Sequence, residues 1–105
     1  MMKYKFNTHN ECHVETSGTS LQGYLSNVSF DRLKECFGEP SDFYDDYKSD
    51  AEWDILFKDG EVATIYNYKN GRNYNGSAAP KVEDIVNWNI GGYKGEVVSR
   101  IREII

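Results

Sequence analysis

Three stretches of this chain have residue types and spacing suited to holding a polar ligand. From Val62 to Val82 there is no acid, while Lys69, Arg72 and Lys81 stand among Tyr66, Tyr68 and Tyr74. Cations for phosphate, rings for stacking and asparagine amides for base edges are what a small nucleotide-like ligand requires. A solvated hairpin end and a surface loop would leave the same pattern. Second, Gly91-Gly92-Tyr93-Lys94-Gly95 falls between an expected strand and an expected helix. Free N–H groups and the positive end of the helix dipole would cradle an anion there. The spacing matches neither the dinucleotide fingerprint nor a Walker loop, and a tight strand-to-helix turn explains the glycines equally well. Third, Thr16-Ser17-Gly18-Thr19-Ser20, with Gln22 and Tyr24, offers hydroxyl and amide hydrogen bonds, or simply forms a polar turn.

Catalytic and metal-binding patterns are weaker. His9, Cys12 and His13 spell H-x-x-C-H, but no second cluster accompanies them, and on a strand Cys12 and His13 would point to opposite faces. A closed zinc site needs four converging ligands, so neither metal nor cofactor is expected. A Ser or Cys nucleophile needs a base and an orienting group. Both histidines lie near the amino terminus, and Cys36 sits mid-helix beside Phe37, where it reads as core. Asp45-Asp46 falls in a loop with no apolar pocket to raise a carboxyl pKa. No enzyme is expected. Trp53 and Trp88 read as core from their alternating surroundings, although Trp88, between Asn87 and Asn89, is also placed to border a pocket.

The formal charge of −5 over 105 residues argues against non-specific nucleic-acid binding, because phosphates would repel the chain. Acids crowd the segment from Glu35 to Glu61, and S-D-F-Y-D-D-Y-K-S-D (Ser41 to Asp50) mixes them with aromatic rings. Asp42, Tyr44, Asp45, Asp46 and Tyr47 are therefore an alternative partner-binding surface, imitating a phosphate backbone against a basic protein groove. No apolar run approaches the ~20 residues needed to span a bilayer, and M-M-K-Y-K-F-N lacks a signal-peptide core. The expected location is the cytoplasm, where Cys12 and Cys36 would be free thiols.

Those groups must be positioned by one domain, 1–105, with a single modest core. Ala51 to Lys69 forms the central hairpin: Ala51, Trp53, Ile55 and Phe57 alternate in one run, Val62, Thr64, Tyr66 and Tyr68 in the next. Asp59-Gly60 between them suits a two-residue turn in which both central residues take positive φ. Tyr4 to Phe6, Cys12 to Glu15 and Val86 to Ile90 read as further strands. Ser29 caps a helix over about 29–37, which Gly38 and Pro40 terminate. A final helix over about 94–104 repeats Val97, Val98, Ile101 and Ile104 at helical spacing. Residues 16–24 and 70–80 read as loops. The fold class is α+β: a mainly antiparallel sheet of about five strands with two helices on one face.

G-T-S-L-Q-G-Y (Gly18 to Tyr24), F-G-E-P (Phe37 to Pro40), E-W-D-I (Glu52 to Ile55), V-A-T-I-Y-N-Y-K (Val62 to Lys69) and W-N-I-G-G (Trp88 to Gly92), taken together, resemble a family of small bacteriophage proteins. The resemblance runs from Gly18 to the carboxyl terminus. One departure is Asn89, where related sequences often carry His. The resemblance implies a viral context in the host cytoplasm and a counter-defence role. Two expectations follow. One is a non-catalytic homo-oligomer that sequesters a small anionic nucleotide-like signal. Thr19, Ser20 and Gln22 would hydrogen-bond it, Tyr68, Tyr74 or Trp88 would face its rings, and Lys69, Arg72 and the Gly91 and Gly92 amides would hold phosphate. The other is an inhibitor of a host defence protein acting through 42–47.

Overall fold

The computed structural model describes residues 4–41, 50–67 and 71–105, with the backbone alone at 72 and 73. Five strands, β1 (Phe6–Thr8), β2 (Ser20–Leu25), β3 (Glu52–Phe57), β4 (Val62–Tyr66) and β5 (Trp88–Gly92), form one sheet in the order β1-β3-β4-β5-β2. All four pairings are antiparallel. Helices α1 (Phe30–Phe37) and α3 (Glu96–Ile104) pack on one face, and a four-residue α2 (Arg72–Asn75) follows β4. The α+β architecture expected from the residue pattern is the one observed. No helix among the described residues is long and apolar enough to cross a membrane.

Local chemistry explains the best-defined elements. Ser29 Oγ accepts from the Arg32 amide at 3.0 Å and starts α1. Gly38, at φ 80°, donates its amide to Lys34 O and ends it. The β3–β4 turn is tighter in chemistry than expected but longer by a residue. Only Gly60 takes positive φ, at 94°, and its amide donates to Phe57 O while Phe57 N donates to Glu61 O. That is a three-residue turn closed by a left-handed glycine, so Asp59 stays in ordinary backbone and its side chain is free for other work.

The core fills the space between α1, α3 and one face of the sheet. Leu33 and Phe37 of α1 and Val97, Val98 and Ile101 of α3 meet Trp53, Ile55, Ile65, Trp88 and Ile90. Trp53 and Trp88 cross edge to face at 5.5 Å, and each indole N–H is satisfied, on Gly38 O and Val28 O respectively, both at 2.8 Å. Arg100 is 7 % exposed yet charged, because Asp59 grips it through two oxygens at 2.9 and 2.7 Å while Glu96 accepts at 2.8 Å. Its guanidinium lies over the rings of Tyr4 and Phe57, which ties the hairpin turn, the amino-terminal strand and α3 together.

Several boundaries differ from the sequence expectation. Cys12 to Glu15 is not a strand, whereas Ser20–Leu25 is. A register shift between Leu21 and Gly23 breaks its alternation. Gly91 and Gly92 lie inside β5 rather than in the turn before α3. The reason is packing. A Cβ on Gly92 would stand 2.8 Å from Val62 O and 2.7 Å from Val97 Cγ2, so neither β4 nor α3 could keep its position. Gly92→Ala should therefore destabilise the fold by about 1–3 kcal/mol, the usual cost of overpacking, measured as a lower urea midpoint with unchanged slope.

Candidate functional site

Two of the three polar segments do meet. Ser20 pairs with Gly92 and Leu21 with Gly91. Gln22 Nε2 donates to Gly92 O at 2.9 Å and to Ser20 Oγ at 3.1 Å, while Thr19 Oγ1 donates to Thr16 O. These donors are spent on one another. Residues near the start of α3 are acidic: Glu61 lies 3.6 Å from Lys94 Nζ, and Glu96 occupies the first turn. Gly91 and Gly92 are thus packing residues, and the expected anion cradle between strand and helix does not form. Trp88, 1 % exposed, lies in the core. The third segment leaves β4 from the opposite end, since Ala63 pairs with Gly92 but Tyr66 with Asn89. Tyr74 is exposed there, on α2. Tyr68, Lys69 and the side chain of Arg72 lie outside the described residues, as do Asp42, Tyr44, Asp45, Asp46 and Tyr47.

A different site forms on the sheet face turned away from the helices. Because Trp53 and Ile55 point into the core, Glu52 and Asp54 point to the other side. Cross-strand neighbours there are Tyr66 beside Glu52 and Thr64 beside Asp54, with Gly91 beside Thr64. Substituting Gly91 is not neutral to this face: a Cβ would sit 2.5 Å from Thr64 Oγ1. Strands β1 and β2 occupy opposite edges, so the chain between them must travel from one side of the sheet to the other. It does so past Asp54. Val14, in that connection, is buried although it is no part of the main core.

His9 fastens the connection. Its backbone amide donates to Asp54 O, the Asp54 amide donates to His9 Nδ1 at 3.2 Å, and His9 Nε2 contacts Glu39 O at 2.8 Å. An amide only donates, so Nδ1 must be bare and the ring proton lies on Nε2. Glu11 closes the preceding turn by accepting from the Thr8 amide and hydroxyl. Tyr93 holds the far end, donating its hydroxyl to Ser17 O at 2.9 Å. Between these fastenings lies a cavity of about 590 Å³, lined by His9 through Thr16 together with Ser41 and Asp54.

Asp54 is 6 % exposed, and its Oδ1 is buried without a hydrogen-bond partner. Its neighbour Glu52 has its pKa pushed up to about 9, first by burial and then by the hydrogen bond and charge of Asp54. At neutral pH Glu52 therefore keeps its proton. Among the described residues no cluster of His, Cys, Asp and Glu is placed to hold a metal ion. Burial raises the pKa of the Cys36 thiol, which disfavours its thiolate. His13 reaches outward to Glu15 at 3.9 Å.

Sequence reasoning passed over Glu52 and Asp54 and weighed His9 only within the H-x-x-C-H metal pattern. The one signal available was E-W-D-I itself: two acids alternating with core residues on a central strand, opposite Thr64 and Tyr66, with no basic residue across from either. Glu52 also sets a pH dependence. Its carboxyl titrates near 4.5 when unfolded and near 9 when folded, so between those values the folded state keeps a proton that the unfolded state has lost. Stability must fall as pH rises across that window. Glu52→Gln should remove most of this slope and stabilise the protein at its alkaline end, read from urea midpoints across the window.

Comparison with protein-family models gave no match, and no curated protein is detectably similar to the chain.

Proposed function

We propose that this protein is a non-catalytic binding protein that captures a small molecule in the cavity between the His9–Thr16 connection and the sheet. The observation that carries the reading is a space of about 590 Å³ lined by Asp54, a carboxyl residue that is 6 % exposed and whose Oδ1 has no partner outside the Glu52–Asp54 pair. Leaving a buried polar atom unsatisfied costs about 1–3 kcal/mol, and such sites are retained where something else supplies the missing partner. The volume lies within the roughly 300–1,000 Å³ typical of small-molecule pockets. A second hollow, about 410 Å³ along the outer side of β1, is lined by strand-edge residues from Lys5 to Asn7 and from Leu56 to Lys58; neither unpartnered buried oxygen lies there.

Capture rather than turnover is supported by how the reactive groups are used. Both nitrogens of His9 are committed to structural hydrogen bonds, so its ring is not free to act as a base, and the other histidine of the lining, His13, reaches to Glu15. Glu52 keeps its proton beside Asp54, but among the described residues no nucleophile accompanies them in an activated setting. Sequestration of a small host signal by an accessory phage protein, as the sequence resemblance implies, suits a module of this size. The ligand would then be enclosed by the connection rather than held between 16–24, 70–80 and 91–95.

Heteronuclear NMR on the full chain separates these placements. Titration with a diverse panel of polar metabolites, cyclic dinucleotides and ADP-ribose isomers included, should shift amides of His9–Thr16, Ser41 and Asp54. Shifts confined to Thr19–Gln22 and Gly91–Gly95, or no shifts with any compound, would reject the cavity as the site.

A further inference from the structure

We propose that the free edge of β1 takes an extended acidic peptide of a partner protein as an added strand, on a surface separate from the cavity. β1 ends the sheet, so only one of its two sides is paired. Lys58 N donates to Lys5 O and His9 N donates to Asp54 O, which turns the backbone groups of Lys5, Asn7 and His9 toward β3. In an antiparallel ladder these directions alternate, so the N–H and C=O of Phe6 and Thr8 point out of the sheet. The protein closes one of these pairs and leaves the other. The Thr8 amide donates to Glu11 Oε1, and its carbonyl accepts from the amides of Glu11 and Cys12. Among the described residues, nothing bonds the amide or the carbonyl of Phe6. An outward donor and acceptor on one edge residue are the main-chain contacts that an incoming strand uses.

Charge selects the strand. Phe6 lines the hollow of about 410 Å³ at this edge, whose walls hold Lys5 and Lys58 and no acid. In the adjoining hollow the one carboxylate, Asp59, is already gripped by Arg100. Lys5 and Lys58 stand opposite one another on neighbouring strands, where like charges repel. Neither has an ion pair among the described residues, whereas Lys34, Lys94 and Arg100 each have a carboxylate partner. On a chain of net charge −5, two adjacent cations without acids are the exception. Lysines on an edge turn away strands of their own sign and favour acidic ones. Pleating also sets the order of residues in the guest. Phe6 packs toward the core, so Lys5 and Asn7 face the other side, and an acid opposite Lys5 alternates with an apolar residue opposite Phe6.

The test adds two blocked heptapeptides, EVEVEVE and KVKVKVK, to the full labelled chain and reads both chemical shifts and amide hydrogen exchange. EVEVEVE should shift the amides of Lys5–Asn7 and Leu56–Lys58 and slow exchange at Phe6, while KVKVKVK should bind at least ~10-fold more weakly. Lys5→Glu combined with Lys58→Glu changes only exposed side chains. It should weaken EVEVEVE by ~10-fold or more and make KVKVKVK the tighter of the two. Should that variant not fold, the two peptides on the native chain still decide. Equal binding of both peptides, or of neither, would overturn the proposal. So would binding of EVEVEVE that leaves Phe6 exchange unchanged, because it would show attraction to the lysines without strand addition. A Phe6 amide already protected in the chain alone, more strongly as its concentration rises, would show that a second copy occupies the edge and would equally refute the partner peptide.

Discussion

The constraint on which the rest depends is topological. The first strand pairs on one edge of the sheet and the second on the other, so eleven or so residues must cross a surface that already has its helices on the far side. A bare polar crossing would leave backbone groups and the sheet face half-hydrated. His9 solves this by acting as an extension of the β-ladder. Its amide meets Asp54 O, its Nδ1 takes the Asp54 amide, and its Nε2 reaches Glu39 O at the end of α1. Three separate parts of the chain are thereby fixed by one side chain.

Once the crossing is fixed, the character of the enclosed space follows. The side of β3 that faces the helices carries Trp53 and Ile55, so strand pleating sends Glu52 and Asp54 to the covered side. Burial of two acids on adjacent same-face positions is costly, and the cost is reduced by keeping Glu52 protonated. Asp54 Oδ1, buried beside it, has no partner outside this pair. Compare Arg100, equally buried, for which Asp59, Glu96 and two aromatic rings provide complete compensation. The molecule compensates one buried charge from several sides and gives one buried carboxyl oxygen no partner outside its pair. The proposed function rests on that contrast.

How much of this was legible in the sequence depended on whether the signal was local. Helix α1 was, because Ser29, Gly38 and Pro40 act within one turn of the elements they bound. The central hairpin was too, although its turn gained a residue. Strand β2 was not: the shift between Leu21 and Gly23 destroys the alternation by which strands are read. Gly91 and Gly92 read as a strand-to-helix turn because glycine permits turns, yet here they answer to Val62, Val97 and Thr64, which lie elsewhere in the sequence. The meeting of His9 with Asp54 spans forty-five positions, and nothing in H-N-E-C-H announces it. Residues that pair through space across a sheet leave no periodic trace.

The central claim is tested most directly at the His9 ring. Long-range ¹H–¹⁵N correlation on the labelled chain at neutral pH reports which nitrogen carries the proton. The account requires a neutral ring protonated at Nε2 with Nδ1 bare, together with a slowly exchanging Asp54 amide. A ring protonated at Nδ1, or an imidazolium with a rapidly exchanging Asp54 amide, would mean that the crossing is not fastened there and that the cavity beneath it is not a defined site.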